Sequence, residues 1–356
     1  MRYLIQPKKY VFFLICILTN LIIFQVISNS AEEYALIGLY DNAEVYVAGY
    51  EYDGNKTTAK VWKNGMEHTL ADGSQNSFAL SVFVFNNDVY VAGKIIQSNG
   101  LVRAVVWKNG IVHYLTDGKN NSEAVSVYVA ENDVYVAGYE YNATYCKAKI
   151  WKNGIDQHLY DGCKNSIPLS IYVSDKDVYL AGYELNGTTK DKAKMWKNGK
   201  AINLTDGSKG AYLNSIFVWD NDVYMVGEEF AEDWGGNLIA KIWKNGMEQP
   251  LTNGMINTCI SSVYVYEGDV YAVGYEDTGQ KTIARLWKNG IAQKLTNGLN
   301  KAKACSVFVS EENVYIVGNE YENNKHLAVL WTNGVAENLF NDAKESFATS
   351  VFVVQQ

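Results

Sequence analysis

Apolar and polar residues alternate along most of this chain in short runs separated by turn residues. Residues 79–84 (ALSVFV), 89–94 (VYVAGK), 59–63 (AKVWK) and 66–70 (MEHTL) show the pattern. A period of two places successive side chains on opposite faces of an extended segment, and the β-branched and aromatic content of these runs suits a pleated sheet. Gly, Asn and Asp punctuate the runs every eight to twelve residues, and no stretch after residue 31 sustains a helical period. The pattern predicts short strands joined by tight turns.

The runs belong to a repeat. Trp-Lys-Asn-Gly recurs at Trp62, Trp107, Trp151, Trp196, Trp243 and Trp287, and Trp-Thr-Asn-Gly at Trp331, at spacings of 44 to 47 residues. Asn-Gly is the strongest short hairpin signal, because a type I′ turn needs positive φ at both central residues. It joins the third strand of each unit to the fourth. A second Asp-Gly or Asn-Gly, at Asp72, Asp117, Asp161, Asp206, Asn253 and Asn297, ends the fourth strand. A four-stranded antiparallel unit of this length cannot bury both faces alone, so copies must pack face to face around an axis. Seven copies predict an all-β, seven-bladed β-propeller of four-stranded antiparallel blades, one domain over residues 31–356.

The innermost strand occurs in eight copies. Six carry Ser81, Ser126, Ser170, Ser215, Ser262 or Ser306 eight residues before the Val that opens the next strand, and the C-terminal copy has Ser350 in the matching place. The N-terminal copy, 34–40, has Ile37 there. Small side chains fit best near a crowded axis, so residues 348–353 are expected to complete the first blade and close the ring.

At the other end, Arg2, Lys8 and Lys9 precede an apolar run over 10–27, followed by Ser28-Asn29-Ser30-Ala31. Charged, apolar and small-residue regions in that order predict a secretory signal peptide over 1–30. The competing reading is an uncleaved signal anchor, the one circumstance in which a membrane partner is expected. Either way the propeller is expected to be secreted, periplasmic or displayed at the cell surface.

The order of an SVFV strand, a turn, a VYVAG strand, a loop, a strand ending in Trp, a tight turn and an outer strand resembles the blade of WD-repeat propellers, and VYVAG is similar to kelch blades. Secreted bacterial propellers with Trp-Lys-Asn-Gly blades look similar. The resemblance covers 34–353 and lacks the Gly-His and Trp-Asp pair of the first family and the paired glycines of the second, so it implies the fold alone.

Composition narrows the chemistry. With 31 Lys+Arg against 39 Asp+Glu the chain has a formal charge of −8, which argues against a nucleic-acid partner because phosphate binding needs a basic field. Five Cys and four His show no metal-ligand spacing, so no metal and no cofactor is expected. Glu51, Glu140, Glu184, Glu229, Glu276 and Glu320 share one position two residues after the strand Gly. Lys60, Lys149, Lys194, Lys241 and Arg285 lie two residues before the Trp. If the Gly faces the Trp, each Glu lies directly across from its Lys or Arg, except Glu320, which faces Val329, and the second blade lacks both members, with Ile95 and Val105. That pattern is expected of cross-strand ion pairs worth about 0.2–1 kcal/mol each, not of an acid–base ring. The repeat Trp residues read as packing between blades. A position that accepts His68, His113, Gln and Ile is not that of a general base. The acidic residues in the turns between first and second strands read as turn chemistry rather than calcium ligands.

Function on a repeat scaffold is expected where the repeat breaks. The longest loop between second and third strands lies in the fifth blade at 228–237 (EEFAEDWGGN). Trp234, beside Glu232 and Asp233 and near Glu228, reads either as a stacking platform for a sugar or an anchor for a protein, or as a Trp folded back over its own loop. Arg103, Tyr321 and His326 are weaker candidates on the same face. The expected function is a non-enzymatic, monomeric binding scaffold for a protein or carbohydrate ligand. The alternative is a secreted glycan hydrolase or lyase, and a hydrolase needs two carboxylates about 5–9.5 Å apart. Counting back from the Asn153-Gly154 turn makes Cys146 and Cys163 diagonal neighbours, a candidate disulfide.

Overall fold

The computed structural model describes residues 43–157, 159, 164–187, 190–232, 235–339 and 344–355. The predicted signal segment, the strand copy at 34–40, Trp234, Asp233 and Cys163 lie outside these residues. Those described form seven four-stranded antiparallel sheets, arranged as the blades of a seven-bladed β-propeller. In the second blade, Asn76–Phe85 is innermost, followed outward by Asp88–Ile96, Val102–Lys108 and Ile111–Tyr114. In the first blade the innermost strand is the C-terminal Glu345–Gln355, paired to Ala43–Tyr52. The ring closes as the serine pattern predicts.

The inner strands of the second to seventh blades carry a bulge one residue before the Ser, as between Ala79 and Ser81. A bulge leaves backbone groups without ladder partners. The Ser hydroxyl supplies one to the next blade: Ser81 Oγ accepts from Val127 N at 3.2 Å, and Ser126, Ser170, Ser215, Ser262, Ser306 and Ser350 do the same for Ile171, Ile216, Val263, Val307, Val351 and Val82. Seven such bonds make a closed circle. Two residues further along lies a second circle, of aromatic rings: Phe83, Tyr128, Tyr172, Phe217, Tyr264, Phe308 and Phe352, with neighbouring centroids 4.5–5.0 Å apart. It constricts the channel toward the end where the Asn-Gly turns lie, here termed the lower end. The inner strands begin at the upper end.

Asn64 and Gly65 have φ of 48° and 75°, the left-handed pair a type I′ turn requires. The Asn side chain does a second job, as Asn109 shows by accepting from Val89 N (2.8 Å) and donating to Asp88 (2.7 Å). The Lys of each turn pairs with the acid at the start of the second strand, from Lys63–Glu44 at 2.6 Å to Lys288–Asp269 at 2.8 Å. Hydrogen bonds from these lysines hold Asp88, Asp133, Asp177, Asp222 and Asp269 below the ordinary carboxylate range. Among the described residues no three His, Cys, Asp or Glu side chains come together as a metal set.

The register corrects one expectation. Gly49 faces Lys60, Val47 faces Trp62 and Glu51 faces Thr58, so Glu and Lys are diagonal rather than directly opposed, and Glu320 faces Leu327, not Val329. The Gly is needed for another reason: a Cβ at Gly49 would lie 1.9 Å from the Phe347 carbonyl oxygen and 2.9 Å from the Trp62 ring. The ion pairs nevertheless form, at Lys60–Glu51, Lys149–Glu140, Lys194–Glu184, Lys241–Glu229 and Arg285–Glu276. They are not surface pairs, since Glu51, Lys60, Lys194 and Lys241 are buried. An outer-strand acid completes three of them, as Glu248 does for Lys241 at 3.0 Å. Burial pulls the Lys241 ammonium down, but bonds to Glu229 and Glu248 outweigh it and hold it above its ordinary value.

Candidate functional site

At the upper end two residues per blade surround the channel mouth. One is the inner-strand residue that precedes the bulge by two: Phe78, Glu123, Ile167, Tyr212, Cys259, Lys303 or Phe347. The other follows the strand Gly: Lys94, Tyr139, Tyr183, Glu228, Tyr275, Asn319 or Tyr50. In six blades the two face each other across the first ladder, and in the first blade Phe347 stacks on Tyr50 at 4.8 Å. Contacts run on from blade to blade. Tyr50 meets the edge of Phe78 at 5.0 Å, Lys94 lies over Phe78 at 5.3 Å and pairs with Glu123 at 2.9 Å, Tyr183 meets Tyr212 at 5.0 Å, and Lys303 lies over Tyr275 at 4.4 Å. The five tyrosines and two phenylalanines are half-buried.

Beside this mouth, at the upper end of the seventh blade, is a cavity of about 650 Å³ lined by Thr282, Lys301, Ala302, Lys303, Asn319, Tyr321, His326 and Phe347. Lys301, Tyr321 and His326 form one row across three strands. The His326 ring lies 4.9 Å from Tyr321 on one side and 4.9 Å from Phe347 on the other.

The sequence candidates part company here. Tyr321 and His326 are brought together in the cavity. Arg103 is not at the mouth: its guanidinium lies 3.9 Å over Tyr114 and its Nε donates to Thr116 O at 2.7 Å, all within the outer part of its own blade. The fifth-blade segment expected as a loop is an extended hairpin, with strands Asp222–Glu232 and Gly235–Lys244, because a ladder two residues longer pairs Phe230 with Leu238 and Glu232 with Gly235. Glu232 is exposed at its tip, whereas Glu228 is buried, so these two carboxylates are not one cluster. Cys146 is buried, its thiol donates toward Ser166 O at 3.7 Å, and burial pushes its pKa up to about 12. The outer strand keeps the register counted from the turn, with Ile150 facing Gln157, and an isolated bridge sets Lys147 opposite Lys164; the pairing with Cys163 falls outside the described residues.

Glu228 has a structural task. Both its oxygens accept from Asn214 Nδ2, at 3.1 and 2.9 Å, and one accepts from Ile260 N of the sixth blade at 3.4 Å. Asn319 does the same for Ala348 N at 2.9 Å. Where the consensus Tyr is absent, a polar residue pins the next inner strand. Burial raises the Glu228 pKa from 4.5 to about 7 against the lowering effect of those bonds. The fold therefore favours the neutral acid: the stability it contributes is complete below pH 4.5 and is lost as pH rises through 7. Glu228→Gln, which keeps an acceptor and cannot ionise, is expected to be about 3 kcal/mol more stable than the parent at pH 8. At pH 4 the two should match, and urea titrations at both values check this.

Sequence reasoning pointed to the loop face around the channel mouth but missed the residues that line it, because it sought departures in loop length. The available signal was chemical variation at fixed length. Position 78 and its equivalents hold Phe, Glu, Ile, Tyr, Cys, Lys and Phe, while the flanking positions stay small or apolar.

No family model and no curated protein matches the sequence of this chain. Its fold is similar to that of a puromycin-hydrolyzing peptidase from Mycobacterium tuberculosis, with a TM-score of 0.56 at 11% identity over 82% of this chain and 50% of that one. Hydrazine synthase from Kuenenia stuttgartiensis gives 0.49 at 9% identity over 86% of this chain and 46% of that one. The chain thus spans about half the length of either protein, and at such identities the likeness concerns the fold.

Proposed function

We propose that this protein is a non-enzymatic, extracytoplasmic binding scaffold that takes a carbohydrate chain at the upper mouth of its channel. The observation that carries the reading is the wall of half-buried aromatic side chains there, five of them tyrosines. Tyrosine offers a flat apolar face to the C–H side of a pyranose and a hydroxyl to its oxygens, at small entropic cost. The N-terminal signal pattern supports an extracytoplasmic setting. The hydrolase alternative requires two carboxylates at the site. The cavity lining contains none, and the two carboxylates of the channel mouth are engaged, Glu228 by Asn214 and Ile260 and Glu123 by Lys94.

A glycan array read beside a hydrolysis screen on the same polysaccharides tests this. Binding without cleavage is expected, and Tyr183→Ala and Tyr50→Ala should each weaken it by about 1–2 kcal/mol with little change in folding. Cleavage of any bound glycan would favour the enzyme. Trp234→Ala belongs in the same series: unchanged affinity assigns recognition to the channel mouth, and a large loss assigns it to the fifth-blade hairpin.

A further inference from the structure

The seam between the sixth and seventh blades lacks two hydrogen bonds that other seams carry, as does the seam before the fifth blade, where Gly210 and Ala211 stand in the same places. In the second, third and sixth blades the inner strand opens with Asn76, Asn121 or Asn257. Each Oδ1 accepts from a backbone N–H of the preceding blade's third strand, Thr57, Val102 or Leu238, at 2.8–2.9 Å. The following Ser77 and Ser122, and Ser346 of the first blade, accept from Ala59, Ala104 and Ala328 at 2.9–3.0 Å. These bonds lace neighbouring blades together at the upper end. The seventh blade carries Lys301 and Ala302 in those two places, and the residue that an Asn would have capped is Thr282. Asn319 also replaces the larger Tyr of four other blades. The cavity lined by Thr282, Lys301, Lys303 and Asn319 lies where these laces and this bulk have been given up.

Its charge runs against that of the chain. In a protein of net charge −8, the lining holds two lysines and a histidine and no carboxylate. Lys301 and Lys303 are exposed and, among the described residues, have no ion pair, unlike the lysines of the turns and of the buried pairs. Of the acids nearby, Glu320 alternates to the other face of its strand, facing Ala302 and Leu327, and accepts from Asn300, while Asp277, opposite Thr282 in the sixth-blade ladder, accepts from Gly279 N at 2.8 Å. Two unpaired ammonium groups beside a Tyr321–His326–Phe347 stack suit a ligand that combines a flat ring with a fixed negative charge.

We infer that the cavity at the upper end of the seventh blade is an anion subsite that receives the carboxylate of a uronic acid unit in a polysaccharide. This rests on the carbohydrate reading above. The ring of the acidic sugar lies against the His326 and Tyr321 faces, and Lys301 and Lys303 converge on its carboxylate.

The test is titration calorimetry of the protein with uronate oligomers (oligogalacturonate, alginate and hyaluronan fragments), methyl-esterified oligogalacturonate, neutral cello- and xylo-oligosaccharides, and polyglutamate. At least one uronate oligomer should bind, its affinity should fall with added salt, and methyl esterification should weaken oligogalacturonate binding if that is the ligand. The double variant Lys301→Gln/Lys303→Gln should lose tenfold or more and flatten the salt dependence. The double Arg variant should retain most binding, and Lys108→Gln, on the lower face, should match the parent. Equal binding of neutral or esterified sugars, or an undiminished double variant, overturns the anion subsite and leaves the carbohydrate reading standing. Tight binding of polyglutamate in place of any sugar overturns the sugar assignment. If no glycan of either kind binds, both readings fall.

Discussion

Removal of residues 345–356 is expected to abolish cooperative unfolding, although it deletes only one of the 28 strands among the described residues. A propeller avoids exposed sheet edges at its axis only by being complete. The C-terminal strand holds together both circles that define that axis. Ser350 Oγ accepts from Val82 N, Val351 N donates to Ser306, and Phe352 stands between Phe308 and Phe83 in the aromatic ring. Thr349 Oγ1 donates to Ala48 O and Ala79 O, both at 3.0 Å. Without the strand, Ala43–Tyr52 presents an unpaired inner edge, and the faces of the second and seventh blades that it covers meet water. The truncated chain should show a broad, non-cooperative urea transition and bind hydrophobic dye at neutral pH. A synthetic peptide of residues 344–356 should restore the sharp transition in trans. A truncated chain that melts as cooperatively as the parent would falsify this account of closure.

The fold was legible because a propeller repeats its constraints. Seven Asn-Gly turns, seven Trp residues and seven Ser residues each mark one geometric need, and the repeat shows which residue answers it. Register was harder to read. Gly49 and Trp62 do interact, but the Trp ring leans diagonally over a Gly that faces Lys60, and only the path of the Phe347 carbonyl explains why that residue has no side chain. The site was legible in part. Tyr321 and His326 stood out as local departures from the blade pattern, whereas Lys301 and Ala302 did not. Their meaning depends on hydrogen bonds made to the preceding blade by Asn and Ser elsewhere in the ring, and such bonds are invisible until the blades are laid side by side. Gly235-Gly236 suggested a loop in the fifth blade, yet the ladder simply continues to Glu232.

Trp151→Ala should cost about 3–5 kcal/mol, the range for removing a large buried side chain from a well-packed seam. Trp151 is 1% exposed and packs on Tyr90, Ala92, Ala104 and Val106 of the second blade as well as on Val127 and Val136 of its own. The same arrangement recurs for Trp107, Trp196, Trp243, Trp287 and Trp331, each set against the blade before it. The loss is therefore local in origin. The seam between the second and third blades loses its largest contact, while the six other repeat Trp residues stay buried in theirs. Hydrogen exchange should accelerate first in Val102–Lys108 and Cys146–Lys152, ahead of the corresponding strands of the fifth and sixth blades. Trp219→Ala is the control. That residue ends an inner strand and is 37% exposed, so its removal should change stability by less than about 1 kcal/mol. Urea midpoints for the two variants decide the matter: if Trp151→Ala costs no more than Trp219→Ala, the repeat Trp does not hold the blades together, and its recurrence needs another cause.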